Sequence, residues 1–101
     1  MKTQERSIRF SLGQVVATPG ALEALQRNGA LAMQYVRRHA SGDWGTMCEE
    51  DQRANNQALE TGARLMSSYT LPDETTLWII TEAADDKGQR SATTLLLPDE
   101  Y

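Results

Sequence analysis

A single cysteine, Cys48, in 101 residues leaves nothing with which to form an intramolecular disulfide, and it excludes a thiolate metal cluster. Histidine is equally scarce. With one His and one Cys, a four-ligand structural zinc site would have to be completed by carboxylates. The sequence holds no run of 18 apolar residues of the kind that spans a membrane. Its N-terminal Met1-Lys2-Thr3-Gln4-Glu5-Arg6 lacks the apolar stretch and small-residue cleavage site of a signal peptide. A cytoplasmic protein with no membrane partner is therefore expected. No internal repeat, biased tract or linker long enough to divide the chain is present either.

What is present is an ordinary globular composition, 40% apolar and 24% charged. A chain of this length buries roughly 60–70% of its unfolded surface around one core. The net charge of −4 is unevenly spread. Residues 1–42 carry six basic and two acidic side chains (+4), and residues 43–101 carry four basic and twelve acidic ones (−8). A generic nucleic-acid binder is more often basic overall, so a protein partner is favoured over nucleic acid.

Along the chain, residues 1–9 show no period and read as a flexible N-terminal arm leading into a single α+β domain over residues 10–101. Gln14, Val15, Val16 and Ala17 form a short strand. Thr18-Pro19-Gly20 then supplies a capping hydroxyl and a proline at the first helical position. That helix should end near Asn28-Gly29, and a second should occupy residues 30–40, stacking Leu31 on Tyr35 and Ala32 on Val36. Thr46 and Glu49 have capping-box spacing and predict a third helix over residues 47–61, stopped by Gly62. Its best apolar stripe is Met47, Ala54, Ala58 and Leu59. From Arg64 the period changes to 2, with Leu65, Ser67, Tyr69 and Leu71 on one face of a strand. A second strand over residues 75–82, apolar on both faces, reads as central. After a hairpin at Asp85-Asp86-Lys87-Gly88, a third strand runs over residues 90–97. The expected fold is thus α+β, with three short helices on one face of a C-terminal three-stranded antiparallel meander. The N-terminal strand is available to extend this to a mostly antiparallel sheet of three to four strands.

The densest group of chemically capable residues is His39, Asp43 and Trp44, with Asp51 and Asn55 beyond. Read functionally, this is a polar site. Read structurally, His39 bonds a terminal carbonyl of its helix, Asp43 satisfies loop amides, and Trp44 plugs the core. His39, Asp43 and Asp51 are acceptable donors for a divalent metal, but their spacing matches no strong motif, so no metal and no cofactor is expected. Cys48 beside His39 makes a poor nucleophile, since two glutamates follow it. Val16-Ala17-Thr18-Pro19-Gly20-Ala21 has the strand-turn-helix form of an anion loop, but with one glycine and no lysine it reads as a helix cap. Arg37, Arg38, Arg64 and Arg90 are candidate contacts for phosphate or a partner. Ser91, Thr93 and Thr94 beside Arg90 would give a polar sheet face.

Leu12-Gly13-Gln14-Val15-Val16-Ala17-Thr18-Pro19-Gly20-Ala21-Leu22, His39 with Gly42-Asp43-Trp44-Gly45, Asp51 with Asn55, and Trp78-Ile79-Ile80-Thr81-Glu82 form a pattern continued by Arg90, Thr93-Thr94, Leu96-Leu97-Pro98 and Glu100-Tyr101. Over residues 10–101 the chain resembles a family of small uncharacterised bacterial proteins found on plasmids and other mobile elements, from which residues 83–89 depart most. Some members carry a methylase-subunit label, but the chain has neither the glycine-rich methyl-donor loop nor the length for that activity. The resemblance implies a mobile-element origin and no particular activity. The leading expectation is a non-enzymatic accessory or interaction protein with a macromolecular partner, a homo-oligomer being compatible with it. A small nuclease or toxin-like enzyme acting on RNA or DNA is the first alternative, and an inhibitor of a host defence enzyme that imitates nucleic-acid charge is the second.

Overall fold

A computed structural model of the chain describes residues 8–101. In order, the elements are β1 (Gln14–Ala17), α1 (Pro19–Arg27), α2 (Ala32–Ala40), α3 (Glu49–Thr61), β2 (Leu65–Thr70), β3 (Thr76–Thr81), β4 (Ala92–Leu96) and a single 3-10 turn, Pro98–Glu100. The α+β class is as expected. The expected three-stranded antiparallel sheet is corrected to a four-stranded mixed sheet of order β1-β4-β3-β2, in which the antiparallel meander β2-β3-β4 is joined by β1 lying parallel to β4. Two hairpin reversals give β4 the direction of β2, and β1 enters beside it in that same direction. The arm expected over residues 1–9 lies, apart from Ile8 and Arg9, outside the described residues. The backbone N–H of Arg9 already donates to the Ala40 carbonyl at the end of α2 (2.9 Å).

Local chemistry accounts for the helix starts and stops. Thr18 is extended and its hydroxyl accepts from the Ala21 N–H (3.1 Å), while Pro19 fills the first helical position, where an amide hydrogen has no helical partner. The Asn28 side chain closes α1 by donating to the Ala24 carbonyl (2.7 Å). Gly62 ends α3 in the left-handed conformation (φ 85°), as expected. The start of α3 departs from expectation. Its N-cap is Cys48, without a side-chain bond, and the Thr46 hydroxyl turns instead to the carbonyl and hydroxyl of Ser68 on β2 (3.1 and 3.2 Å). A tertiary contact has displaced the local capping box. Similarly, Leu31 sits outside α2 as its N-cap, two-thirds exposed.

On the helix-facing side of the sheet, alternate residues of the strands form one apolar field of Tyr69, Leu71, Leu77, Ile79 and Leu95. It packs against Ala21, Ala24 and Leu25 of α1 and Val36 of α2. Each large aliphatic side chain buried there contributes about 1.5–3 kcal/mol of transfer free energy. β3 is interior, as its two apolar faces predict. On the far face Ile80 and Leu96 are buried and Trp78 meets the Tyr101 ring edge-on at 5.8 Å.

The third helix packs on Leu65, which shares the inward face of β2 with Ser67 and Tyr69. It lies along β2, the outermost strand, with Trp44, Ala58 and Leu65 as a second small core flanked by Phe10, Met47 and Leu59. Ala54, expected in its buried stripe, is exposed, and Asn55 takes the inward position. The Asn55 amide behaves as a one-residue strand: its Nδ2 donates to the Met66 carbonyl (2.7 Å) and its Oδ1 accepts the Met66 N–H (3.1 Å). Two residues on, the Ser68 N–H donates to the Trp44 carbonyl (3.1 Å) and the Ser68 carbonyl accepts from the Thr46 N–H (2.6 Å). Gly45 makes this approach feasible, since its φ is +75° and a Cβ there would lie 2.0 Å from the Ser68 oxygen. The β2 edge is thereby closed to any further strand.

Replacing Asn55 with alanine strips both bonds from the Met66 peptide groups. The expected loss is about 2 kcal/mol of unfolding free energy, read by urea denaturation at neutral pH. A loss below about 0.5 kcal/mol would show that water satisfies this edge equally well.

Candidate functional site

Where β2, β3 and β4 continue beyond the apolar field, the same inward-facing alternation carries hydroxyls in place of hydrocarbon: Ser67, Thr81 and Thr93, each fully buried. Into this row α2 inserts His39, itself 0% exposed. Its Nδ1 lies 2.5 Å from the Ser67 hydroxyl and its Nε2 lies 2.9 Å from that of Thr81. Thr81 and Thr93 are 2.7 Å apart, and Thr93 donates to the Leu12 carbonyl (2.8 Å). Phe10 and Trp44 present rings edge-on to the imidazole at 5.2 and 5.7 Å and close the chamber.

The direction of every proton in this chain follows from its last bond, because a carbonyl can only accept. Thr93 spends its proton on Leu12 and must accept from Thr81. Thr81, having donated, must accept from Nε2–H of His39. With its pKa lowered to about 4 the ring is neutral at pH 7, so Nδ1 carries no proton and accepts from Ser67. The imidazole is neutral and fixed in one tautomer. Burial, and secondarily the positive charge of Arg90, push its pKa from 6.5 down to about 4. With both nitrogens occupied and neither exposed, His39 is not placed to act as a base toward a substrate in solvent.

Arg90 is the second buried polar group, 6% exposed. Its guanidinium donates to the carbonyls of Ala63 (2.8 Å), Glu82 (3.0 Å) and Ala58 (3.3 Å) and lies over the Phe10 ring at 5.6 Å. Ala58 and Ala63 bracket the C-terminal end of α3, where the partial negative charge of the helix favours a cation. Burial alone lowers the pKa of this arginine. Its charge is balanced by peptide dipoles. Among the described residues it forms no ion pair.

The remaining candidates disperse. The Asp43 carboxylate accepts from Arg38 Nε (2.8 Å) and the Gly45 N–H (3.1 Å), and its carbonyl accepts the Tyr69 hydroxyl proton (2.6 Å). Arg38 also covers the Tyr69 ring at 4.7 Å, and its pKa is raised, chiefly by the bond to Asp43. Trp44 is buried, with its indole N–H bonded to the Asn56 side-chain oxygen (3.0 Å). Asp51 is exposed in the first turn of α3, one turn from Asn55 but not joined to it. Arg37 is exposed, and Arg64 bonds the Tyr101 hydroxyl (2.9 Å). The four arginines thus lie in four different surroundings and do not converge. Thr93 belongs to the interior and not to a polar outer face, since its residue parity puts it beneath the helices. The Thr18-Pro19-Gly20 turn does receive an anion. That anion is the Glu100 carboxylate, bonded to the Thr18 hydroxyl and to the amides of Gly20 (3.1 Å) and Leu97 (2.8 Å), and these bonds hold its pKa below the usual value.

Ser67, Thr81 and Phe10 take part without having been expected to, and Thr93, expected on an outer polar face, lies inside. The available signal was a serine and two threonines at inward positions of a period-2 pattern, where hydrocarbon is the rule. Among the described residues, no three His, Cys, Asp or Glu side chains are grouped to hold a metal ion, and no helix is long and apolar enough to cross a membrane. Compared with family models, with curated proteins and with solved structures, the chain matches none of them.

Because the folded pKa of His39 is about 4 and the unfolded one about 6.5, the unfolded chain binds its proton first as pH falls. The contribution of His39 to stability is therefore constant above pH 6.5 and lost between 6.5 and 4, by about 3 kcal/mol in full. Urea titrations at a series of pH values should show this slope, and His39→Leu should lack it. Arg90→Met leaves carbonyls without their donor and should cost about 3 kcal/mol in the same assay, whereas an exposed Arg37→Met should cost under about 0.5 kcal/mol.

Proposed function

We propose that this chain is a non-enzymatic interaction protein, carried by a plasmid or another mobile element, that acts in the cytoplasm by binding a partner protein. The observation that supports this reading is the fate of its polar residues. His39, the only histidine, has both ring nitrogens engaged at 0% exposure, and Arg90 is held by three carbonyls. Cleavage of RNA or DNA needs a base and a cation that reach the phosphate, and these two groups face inward. What the described residues turn outward is a charged surface, with Arg37, Glu49, Glu50 and Asp51 exposed, interrupted by apolar side chains such as Val15 and Val16.

Capture of the tagged, full-length protein from its host, with and without nuclease treatment, tests the reading. A protein that stays bound after nuclease, and then co-purifies with this chain when the two are co-expressed, is the expected result. Cleavage of RNA or DNA by the purified chain, abolished in Arg64→Ala or Arg37→Ala, would overturn it.

A further inference from the structure

The sheet has two edges, and they are treated differently. The β2 edge is closed by Asn55 and by the Trp44–Thr46 backbone. The β1 edge is not. Gln14 N–H donates to the Ser91 carbonyl and Thr18 N–H to the Leu95 carbonyl, both at 3.0 Å. These bonds aim the backbone of residues 14, 16 and 18 at β4 and that of Val15 and Ala17 outward. Among the described residues, nothing bonds the outward groups of Val15 and Ala17.

Edge strands are usually protected by lysine, proline, a bulge or a cover. β1 has none of these within it. Residues 10–22 hold no charged side chain, in a chain that is 24% charged. Val15 points to the helix side and Val16 to the other, each 40% exposed. β1 has a single neighbour, β4, and both of its faces carry a partly exposed valine.

We propose that the missing neighbour is β1 of a second copy of this chain, paired antiparallel about a two-fold axis through Val16. In this register Val15 and Ala17 exchange N–H and C=O bonds with Ala17 and Val15 of the other copy, and the two Val16 side chains meet at the axis. Two four-stranded sheets become one of eight strands. Three observations select a second copy as the occupant. In this register the residue on the axis meets its own duplicate, so a charge there would face its like; Val16 is uncharged, and so are all of residues 10–22. The two outward groups that do the bonding stand symmetrically on either side of Val16. With β2 closed, each copy has one open edge, so pairing stops at two and yields no filament. A four-residue strand pair buries less than the ~1,200 Å² of a standard interface, which makes the dimer weak and reversible.

The inference stands apart from the interaction reading above: a dimer that captures no partner overturns only that reading, and a monomer that does capture one overturns only this one. Sedimentation equilibrium of the full-length chain from about 10 μM to 1 mM should show the mass rising toward twice the monomer. Over the same range the amide hydrogens of Val15 and Ala17 should become protected from exchange. In Val16→Lys, two like charges would face each other at about 5 Å, and the mass should stay that of the monomer with the thermal midpoint of the dilute protein unchanged. Mixing Val16→Lys with Val16→Glu should restore dimer, at least tenfold tighter than either variant alone. A wild-type chain that is monomeric at 1 mM overturns the proposal. So does dimerisation untouched by Val16→Lys, or concentration-independent protection of the Val15 and Ala17 amides, which would mean that the chain covers its own edge.

Discussion

The imidazole of His39 stands at the junction of α2 with β2 and β3 and has two hydrogen bonds to complete where water does not reach. A buried polar group left unpaired costs roughly 1–3 kcal/mol, so its position is a constraint on everything around it. Ser67, Thr81 and Thr93 must stand at hydrogen-bonding distance, which fixes the alignment of β2, β3 and β4. Leu12 must bring its carbonyl to Thr93, which fixes where the chain enters β1. The order is directional as well. One carbonyl at the end dictates the orientation of three hydroxyls and the tautomer of the ring. Hydrophobic burial under α1 and α2 supplies most of the driving force, but it tolerates sliding. The relay does not, since a shift of one residue along any of these strands would point its hydroxyl out of the chamber.

Neutral His39 and charged Arg90 are two parts of one solution. Phe10 touches both, edge-on to the imidazole and beneath the guanidinium, and the cation discourages protonation of the ring. A protonated imidazole would need an acceptor at Nδ1, where Ser67 now donates, and would place a second positive charge in the same chamber. Arg90 escapes the usual cost of a buried charge because it faces the carbonyl end of α3 and the Glu82 carbonyl. Through that contact the end of α3 is bound to the hairpin between β3 and β4. The C-terminus uses the opposite polarity. Glu100, an anion, sits at the amide end of α1 and holds the exit from β4 to the exit from β1.

Much of this fold could be read from local chemistry. Thr18-Pro19 gives the start of α1, Gly62 the end of α3, and the alternation from Leu65 to Leu71 the inward face of β2. Two of the departures, at Thr46 and Asn55, share one cause. Thr46 has the spacing of a cap but is drawn to Ser68, and Asn55 displaces Ala54 from the buried face because an edge strand needs its backbone satisfied. Both partners lie far along the chain, beyond the reach of any local pattern. The candidate site was half legible. His39 and Trp44 are central to a buried cluster, but the residues that complete it come from β2, β3 and β4, and Asp51, expected beside them, takes no part.

The consequence for function lies in how this small domain distributes its polarity. A chain with 40% apolar residues has hydrocarbon enough for its interior, yet this one places His39, Ser67, Thr81, Thr93 and Arg90 inside and leaves Val15 and Val16 half-exposed at a sheet edge. Folding of a single copy gains nothing from that exchange, because buried hydroxyls return less free energy than the valines would. What the interior relay supplies is position: it anchors Leu12, the residue from which the chain turns through Gly13 into β1, and so holds the outward backbone groups of Val15 and Ala17 in one orientation. In the dimer proposed above, a strand held rigid beforehand loses little further entropy on pairing, which would couple the polar core to the apolar edge.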